Sequence, residues 1–259
     1  MTSGSFQIAW QEAGRGDPLV LLHGIGGGSA SWSAQLEGLS DRYRVIAWDM
    51  PGYGASSPLD EVSFSALSRA LKSLIDRLDL KKPHIVGHSI GGMVAQEFAA
   101  MHPDGLASLT LSATSPAFGR LDGDFQKQFV SARLAPLEAG QTLADIADSV
   151  IPELVGPHAS HAAKATAKEC MSRVPPETYR AMMACLVTFD RRAALTSIGV
   201  PTLLIAGETD TQAPAAMMEK MASKIPGARY VRLPGTGHLA NIEHPAAFNA
   251  ALLKFLTES

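Results

Sequence analysis

The sequence predicts an α/β fold: a mostly parallel central sheet flanked by helices, with a helical cap inserted between two sheet strands. Three observations carry this. Short apolar runs rich in Val, Ile and Leu recur along the chain and end at Gly, Pro or Asp. Segments of helical periodicity separate many of them. The alternation lapses once, between about residues 115 and 196, and then resumes. Near-continuous apolar runs suit strands covered on both faces, and their alternation with helices leads to a parallel sheet between helical layers.

The predicted strands are residues 19–22, 44–48, 84–86, 106–111, 202–206 and 230–233. Between the second and third, Phe64, Leu67, Leu71, Leu74, Ile75 and Leu78 recur at three- and four-residue steps, which predicts an amphipathic helix over 63–78. Met93, Val94, Glu97 and Phe98 belong to a second helix ending near His102-Pro103. In the lapse, Phe125, Phe129, Leu134, Leu137, Ile146 and Val150 have helical spacing, and Pro152, Pro157, Pro175 and Pro176 are expected to punctuate the helices. The expected division is a core domain of residues 1–115 and 197–259 and a cap of residues 116–196. An insertion there is a usual place to build substrate specificity.

Composition narrows the function classes. Hydrophobic residues make up 46% of the 259 and charged residues 18%, ample for a core. The formal net charge is −3, with 22 Lys+Arg against 25 Asp+Glu and no basic block, so no nucleic-acid partner is expected. Cys170 and Cys185 form no C-x-x-C pair and have no His at ligand spacing, so they are read as reduced thiols and no metal is expected. Residues 1–6 lack a basic segment leading into an apolar stretch, and runs such as 19–22 are too short to cross a bilayer. The expectation is a cytoplasmic protein with a small-molecule substrate and no membrane partner. Oligomeric state leaves no signature.

The chemistry centres on Gly87-His88-Ser89-Ile90-Gly91, followed by Gly92. It matches G-x-S-x-G between a predicted strand and a predicted helix, a turn that projects a serine hydroxyl beside a helix N-terminus. A serine hydroxyl is a weak nucleophile at neutral pH and needs a base, which needs an orienting acid. Both follow in the order Ser, Asp, His. Asp210 lies past the strand at 202–206 and His238 past the strand at 230–233, on loops at strand C-terminal ends, where open α/β sheets place their sites. Glu208 is a rival for the acid, with Asp210 favoured because it sits farther out on the loop. His23, at the end of a strand, is read as bonded to backbone, and the ring of His88 is read as pointing away from the hydroxyl. His84, His102, His158, His161 and His244 sit in no comparable motif.

Acyl transfer also needs two N–H donors for the oxyanion. One should be Ile90, the residue after the nucleophile. The second should be Ile25 in His23-Gly24-Ile25-Gly26-Gly27-Gly28, whose glycines permit close approach to substrate. Neither glycine-rich stretch has a phosphate-cradling pattern, so no nucleotide or other cofactor is expected.

With these residues in place, the chain resembles the α/β-hydrolase superfamily over essentially its whole length. The resemblance rests on 23–26, on Asp49-Met50-Pro51-Gly52-Tyr53-Gly54-Ala55-Ser56, on the Ser89 turn, and on 207–210 and Gly237-His238. It implies a structural turn for Asp49 and Tyr53. Haloalkane dehalogenases and epoxide hydrolases of the superfamily use Asp at the nucleophile position and are disfavoured by Ser89. Residues 238–245 and 179–190 look most like 3-oxoadipate enol-lactonases and their carboxylesterase relatives. All three Trp (10, 32 and 48) precede the cap, whereas the lactonases tend to carry Trp within it, so the expectation is ester or lactone hydrolysis through an acyl-enzyme on Ser89, with an enol-lactone among the candidates. Its rivals are a carbon–carbon hydrolase of ring-fission products using the same triad, a cofactor-free perhydrolase or haloperoxidase, and a non-catalytic small-molecule receptor. Arg133, Met171, Met182, Met183, Arg191 and Arg192 are candidates for lining the pocket. An acidic substrate would need a cation such as Arg133 facing Ser89, but helical arginines more often lie on a solvated face, so none is singled out.

Overall fold

The computed structural model describes residues 6–118 and 123–258. The reading of residues 1–5 as lacking a leader lies outside them. Seven strands form one sheet: β1 (Trp10–Ala13), β2 (Asp17–Leu22), β3 (Tyr43–Trp48), β4 (His84–His88), β5 (Ser108–Ser112), β6 (Thr202–Gly207) and β7 (Arg229–Leu233), in the order β1-β3-β2-β4-β5-β6-β7. β1 runs antiparallel to β3, and every other pairing is parallel. The period of two sorts side chains onto two packed faces. Val20, Leu22, Ile46, Trp48, Ile85 and Leu204 pack toward α2 (Phe64–Arg77) and α3 (Ile90–Met101). Leu19, Leu21, Val45, Ala47, Val86 and Ile205 pack toward α1 (Ser33–Leu39) and α10 (Pro245–Thr257), meeting Phe248, Leu252 and Phe255.

The helix expected over 63–78 is α2, started by Ser63, whose hydroxyl accepts from Ala66 N. Two strand expectations need correction. β1 escapes the apolar-run criterion because it is a short edge strand whose two central residues, Gln11 and Glu12, are exposed. The strand placed at 106–111 is Ser108–Ser112, because Ser108, Thr110 and Ser112 are buried between β4 and β6 despite their hydroxyls.

Between β5 and β6 the chain forms α4 (Asp124–Glu138), α5 (Leu143–Leu154), α6 (His161–Ser172) and α7 (Pro176–Leu186). The two ends of this insertion are stitched together where Ala117 bridges Asp190: Phe118 N donates to Phe189 O at 3.0 Å and Arg191 N to Pro116 O at 2.8 Å. Pro152 does not punctuate as expected but sits inside α5. An interior proline costs about 3 kcal/mol, which burial of Leu143, Ile146 and Ile151, at about 1.5–3 kcal/mol each, outweighs. The remaining elements are α8 (Ala215–Ala222), α9 (Ala240–Glu243) and two 3₁₀ turns, at Ser29–Trp32 and Arg192–Ser197. Among the described residues no helix is long and apolar enough to cross a membrane.

Candidate active site

β4 and α3 meet at a single residue, Ser89, with φ 55° and ψ −122°. A non-glycine residue there stores strain that the surrounding packing must hold. Two glycines permit the turn. A Cβ on Gly87 would lie 2.4 Å from Gly91 O, and one on Gly91 would lie 2.3 Å from Leu22 O. The turn is then pinned from β5, since Ser89 N donates to Ser112 O at 3.0 Å and Thr114 Oγ1 donates to Ser89 O at 2.7 Å.

Asp210 and His238 come together from the loops after β6 and β7. His238 Nδ1 lies 2.8 Å from Asp210 Oδ2, and both residues are buried. Asp210 Oδ1 accepts from Gln212 N at 2.7 Å and Ala213 N at 3.0 Å. Burial alone would raise the Asp210 carboxyl pKa, but the His238 ring and these N–H donors outweigh it and hold it below the ordinary carboxylate value. The rival Glu208 turns elsewhere: its Oε2 accepts from Gly235 N at 2.9 Å, and its other oxygen faces Arg232.

Glu243, at the end of α9, has a role that motif reading missed. Its buried carboxylate accepts three backbone N–H groups: Gly156 at 2.6 Å and Gly237 at 3.0 Å on Oε2, and Leu239 at 3.0 Å on Oε1. Two of these flank His238 and the third belongs to the insertion. His238 N itself donates to Leu154 O at 2.6 Å. The available signal was Glu five residues after a loop His, which no spacing rule separates from an ordinary helical Glu.

The other histidines near the site are committed to backbone. His23 Nδ1 donates to Gly24 O at 2.8 Å and its Nε2 accepts from Met50 N at 2.9 Å. His88 Nε2 donates to His238 O at 2.9 Å, and burial, with His238 nearby, pushes the His88 pKa down to about 3. His84 pairs with Ser108.

The two expected oxyanion donors are available. Ile25 and Ile90 are buried, yet the backbone N–H of each meets no acceptor among the described residues. Buried N–H groups are rarely left unpaired in folded proteins. The Ile25 loop is held by Tyr53 Oη donating to Ile25 O at 2.8 Å, and Asp49 Oδ1 accepts from Ser29 N at 2.7 Å, which matches the structural role expected for that turn. A Cβ on Gly24 would lie 2.9 Å from the His88 ring, so this position needs glycine.

Ser89, His238 and Ile25 line one cavity of about 670 Å³, whose other walls come from the insertion and the loop after β6. Of the side chains proposed to line it, Arg133, Met171 and Met183 do. Met182 is fully buried elsewhere, Arg191 bonds Glu97 at 2.7 Å, and Arg192 pairs with Asp190. Phe118 and Phe129 pack edge to face on the insertion side. Among the described residues no three His, Cys, Asp or Glu side chains gather as metal ligands, and Cys170 and Cys185 are free and buried.

The alpha/beta hydrolase fold family model matches residues 17–245. A thermophilic esterase from Thermogutta terrifontis, solved with malate bound, superposes with a TM-score of 0.90 at 28% identity, covering 100% of this chain and 96% of that one. The enol-lactonase from Burkholderia xenovorans LB400 superposes with a TM-score of 0.86 at 25% identity and 96% coverage of both chains. RutD of Azorhizobium caulinodans, provisionally named a carbamate hydrolase, is 27% identical over 98% of this chain and 97% of its own length.

Proposed function

The chain belongs to the α/β-hydrolase-fold family, and from that premise we propose that it is a serine hydrolase that cleaves a small carboxylic ester or lactone through an acyl-enzyme on Ser89. The main support is convergence: Ser89, the His238–Asp210 pair and the unpaired N–H groups of Ile25 and Ile90 come from four separate stretches of chain, and Ile25, Ser89 and His238 line one cavity. The likeness to an esterase and an enol-lactonase favours the same level of substrate.

In this reading His238 Nε2 takes the Ser89 proton as Oγ attacks the carbonyl carbon, while Asp210 holds Nδ1–H and stabilises the imidazolium. The N–H groups of Ile25 and Ile90 receive the oxyanion; loss of one such donor costs about 3–4 kcal/mol of barrier stabilisation. His238 then protonates the departing alkoxide. Water, deprotonated by the same ring, attacks the acyl carbon and releases the acid and Ser89. The insertion serves as a cap that excludes bulk water and shapes the substrate site.

Steady-state kinetics on 4-nitrophenyl esters and simple lactones test this. The wild type turns over at least one of them, and Ser89→Ala, with unchanged circular dichroism and melting, loses about 10⁴-fold or more in kcat. Ser89→Ala retaining turnover overturns the reading.

A further inference from the structure

Arg133 is the one Lys or Arg among the described residues that lines the Ser89 cavity, and no Asp or Glu lines it. The apolar side chains of Phe118, Phe129, Val150, Met183 and Met217 share the cavity walls with Arg133. The guanidinium sits 5.4 Å over the Phe129 ring, and its Nη2 donates to Gln212 Oε1 at 3.4 Å, two residues beyond Asp210. No carboxylate lies within ion-pair distance of it among the described residues, whereas Arg191 and Arg192 on the same insertion are each paired with one.

A guanidinium offers five N–H donors in a planar fork, and a single bond to Gln212 leaves most of them open. Stacking on Phe129 limits its freedom, so less order is lost when it binds. A half-buried guanidinium with no carboxylate partner among the described residues remains available to pair with an anion that enters the cavity. One positive charge, with no second cation among the described lining residues, matches one negative charge.

Resting on the Ser89 reading for the position of the scissile bond, we propose that Arg133 determines specificity: the substrate is an ester or lactone bearing a single carboxylate, separated from the reacting carbonyl by an apolar spacer. Arg133 binds the carboxylate through paired N–H donors, the spacer lies against the Phe129 and Met183 side of the cavity, and the carbonyl reaches Ser89. The bond broken is the ester bond, and the distal carboxylate leaves unchanged.

Two matched sets of esters test this, with the charge on the acyl side or on the leaving-group side. The first is mono-4-nitrophenyl pimelate against its methyl ester and 4-nitrophenyl heptanoate. The second is 6-acetoxyhexanoate against its methyl ester. In at least one set the wild type shows higher kcat/KM for the free carboxylate. Arg133→Gln lowers that value by about 10- to 100-fold and changes the neutral esters by less than about threefold. Arg133→Lys, which keeps the charge and loses the fork, falls between. Intact turnover of the neutral esters by the variants serves as the folding control. Calorimetry provides an arm independent of turnover: Ser89→Ala binds monomethyl pimelate or 6-hydroxyhexanoate more tightly than methyl heptanoate or hexanol respectively, and adding Arg133→Gln removes the difference. Catalysis without carboxylate preference in either set, or equal losses on charged and neutral esters, overturns the proposal and leaves the Ser89 reading standing. Arg133-dependent binding without ester turnover supports the carboxylate site and overturns the Ser89 reading instead.

Discussion

Glu243 links the loop that carries His238 to the insertion with one buried carboxylate. Three backbone donors converge on it, from Gly156, Gly237 and Leu239. Replacing it with Gln substitutes an NH₂ for one acceptor and turns donor toward donor. Glu243→Gln is expected to lower the unfolding free energy by about 1–3 kcal/mol, the cost of leaving a buried donor unpaired, as read in urea melts. Because Gly237 and Leu239 bracket His238, kcat should also fall, with KM changed by less than about twofold; an unchanged kcat would mean that Glu243 only stabilises. At this scale the residues of the proposed site could be picked out, because each proposed role confines residue type and loop position together. Asp210 could be favoured over Glu208 on position alone, and the hydrogen bond from His238 now distinguishes them. Glu243 and Thr114 were not legible, because their partners are backbone groups brought near only by folding. Arg133 was legible only as one of several candidates: nothing local to a helix says which arginine its neighbours leave unpaired.

At the scale of elements, sequence pattern succeeds where burial is two-sided and weakens at edges. β2, β3, β4 and β6 each carry a buried run that is mostly apolar because helices cover both faces of the sheet. β1 has no such run, since one side of it faces water, and only its ladder to β3 defines it. β5 hides its pattern differently: three hydroxyl residues are buried in it, so its end was read too early. α2 was readable from periodicity because its stripe of Leu67, Leu71 and Leu74 is wholly buried against a solvated opposite face. α4 has only two fully buried residues, Gln126 and Leu137, and its aromatic residues instead line the cavity, so helical periodicity alone says little about what it packs against.

The whole molecule buries His23 and His88 uncharged beneath the site, and this sets a response to acid. Burial lowers both ring pKa values, that of His88 to about 3, while an exposed imidazole in the unfolded chain titrates near 6.5. Below about pH 6.5 the unfolded chain therefore binds protons that the folded rings refuse, so stability present at neutral pH is lost as pH falls. Each ring contributes a slope of about 1.4 kcal/mol per pH unit until its folded pKa is reached. Asp210 acts in the same direction at lower pH: its folded pKa is depressed, so its contribution is present above the unfolded carboxylate value and is lost as pH falls through the folded one. Urea melts at pH 7, 6 and 5 should show stability falling with acid, and His88→Asn should reduce the slope by about one proton's worth; a flat profile in the wild type would contradict the neutral, buried assignment. Neither histidine's burial was visible in the sequence beyond the expectation that His23 bonds to backbone, since it depends on segments distant in sequence, such as those of Met50 and His238, meeting the rings.

The central claim concerns Ser89, and covalent labelling tests it most directly. Treatment with one equivalent of a fluorophosphonate, followed by intact-mass and peptide mass spectrometry, should give a single adduct on the peptide carrying Ser89, with ester turnover falling in proportion. The same reagent should label His238→Ala far more slowly, because the serine then lacks its base. An adduct on another residue, or a fully labelled Ser89 with turnover intact, would contradict the account.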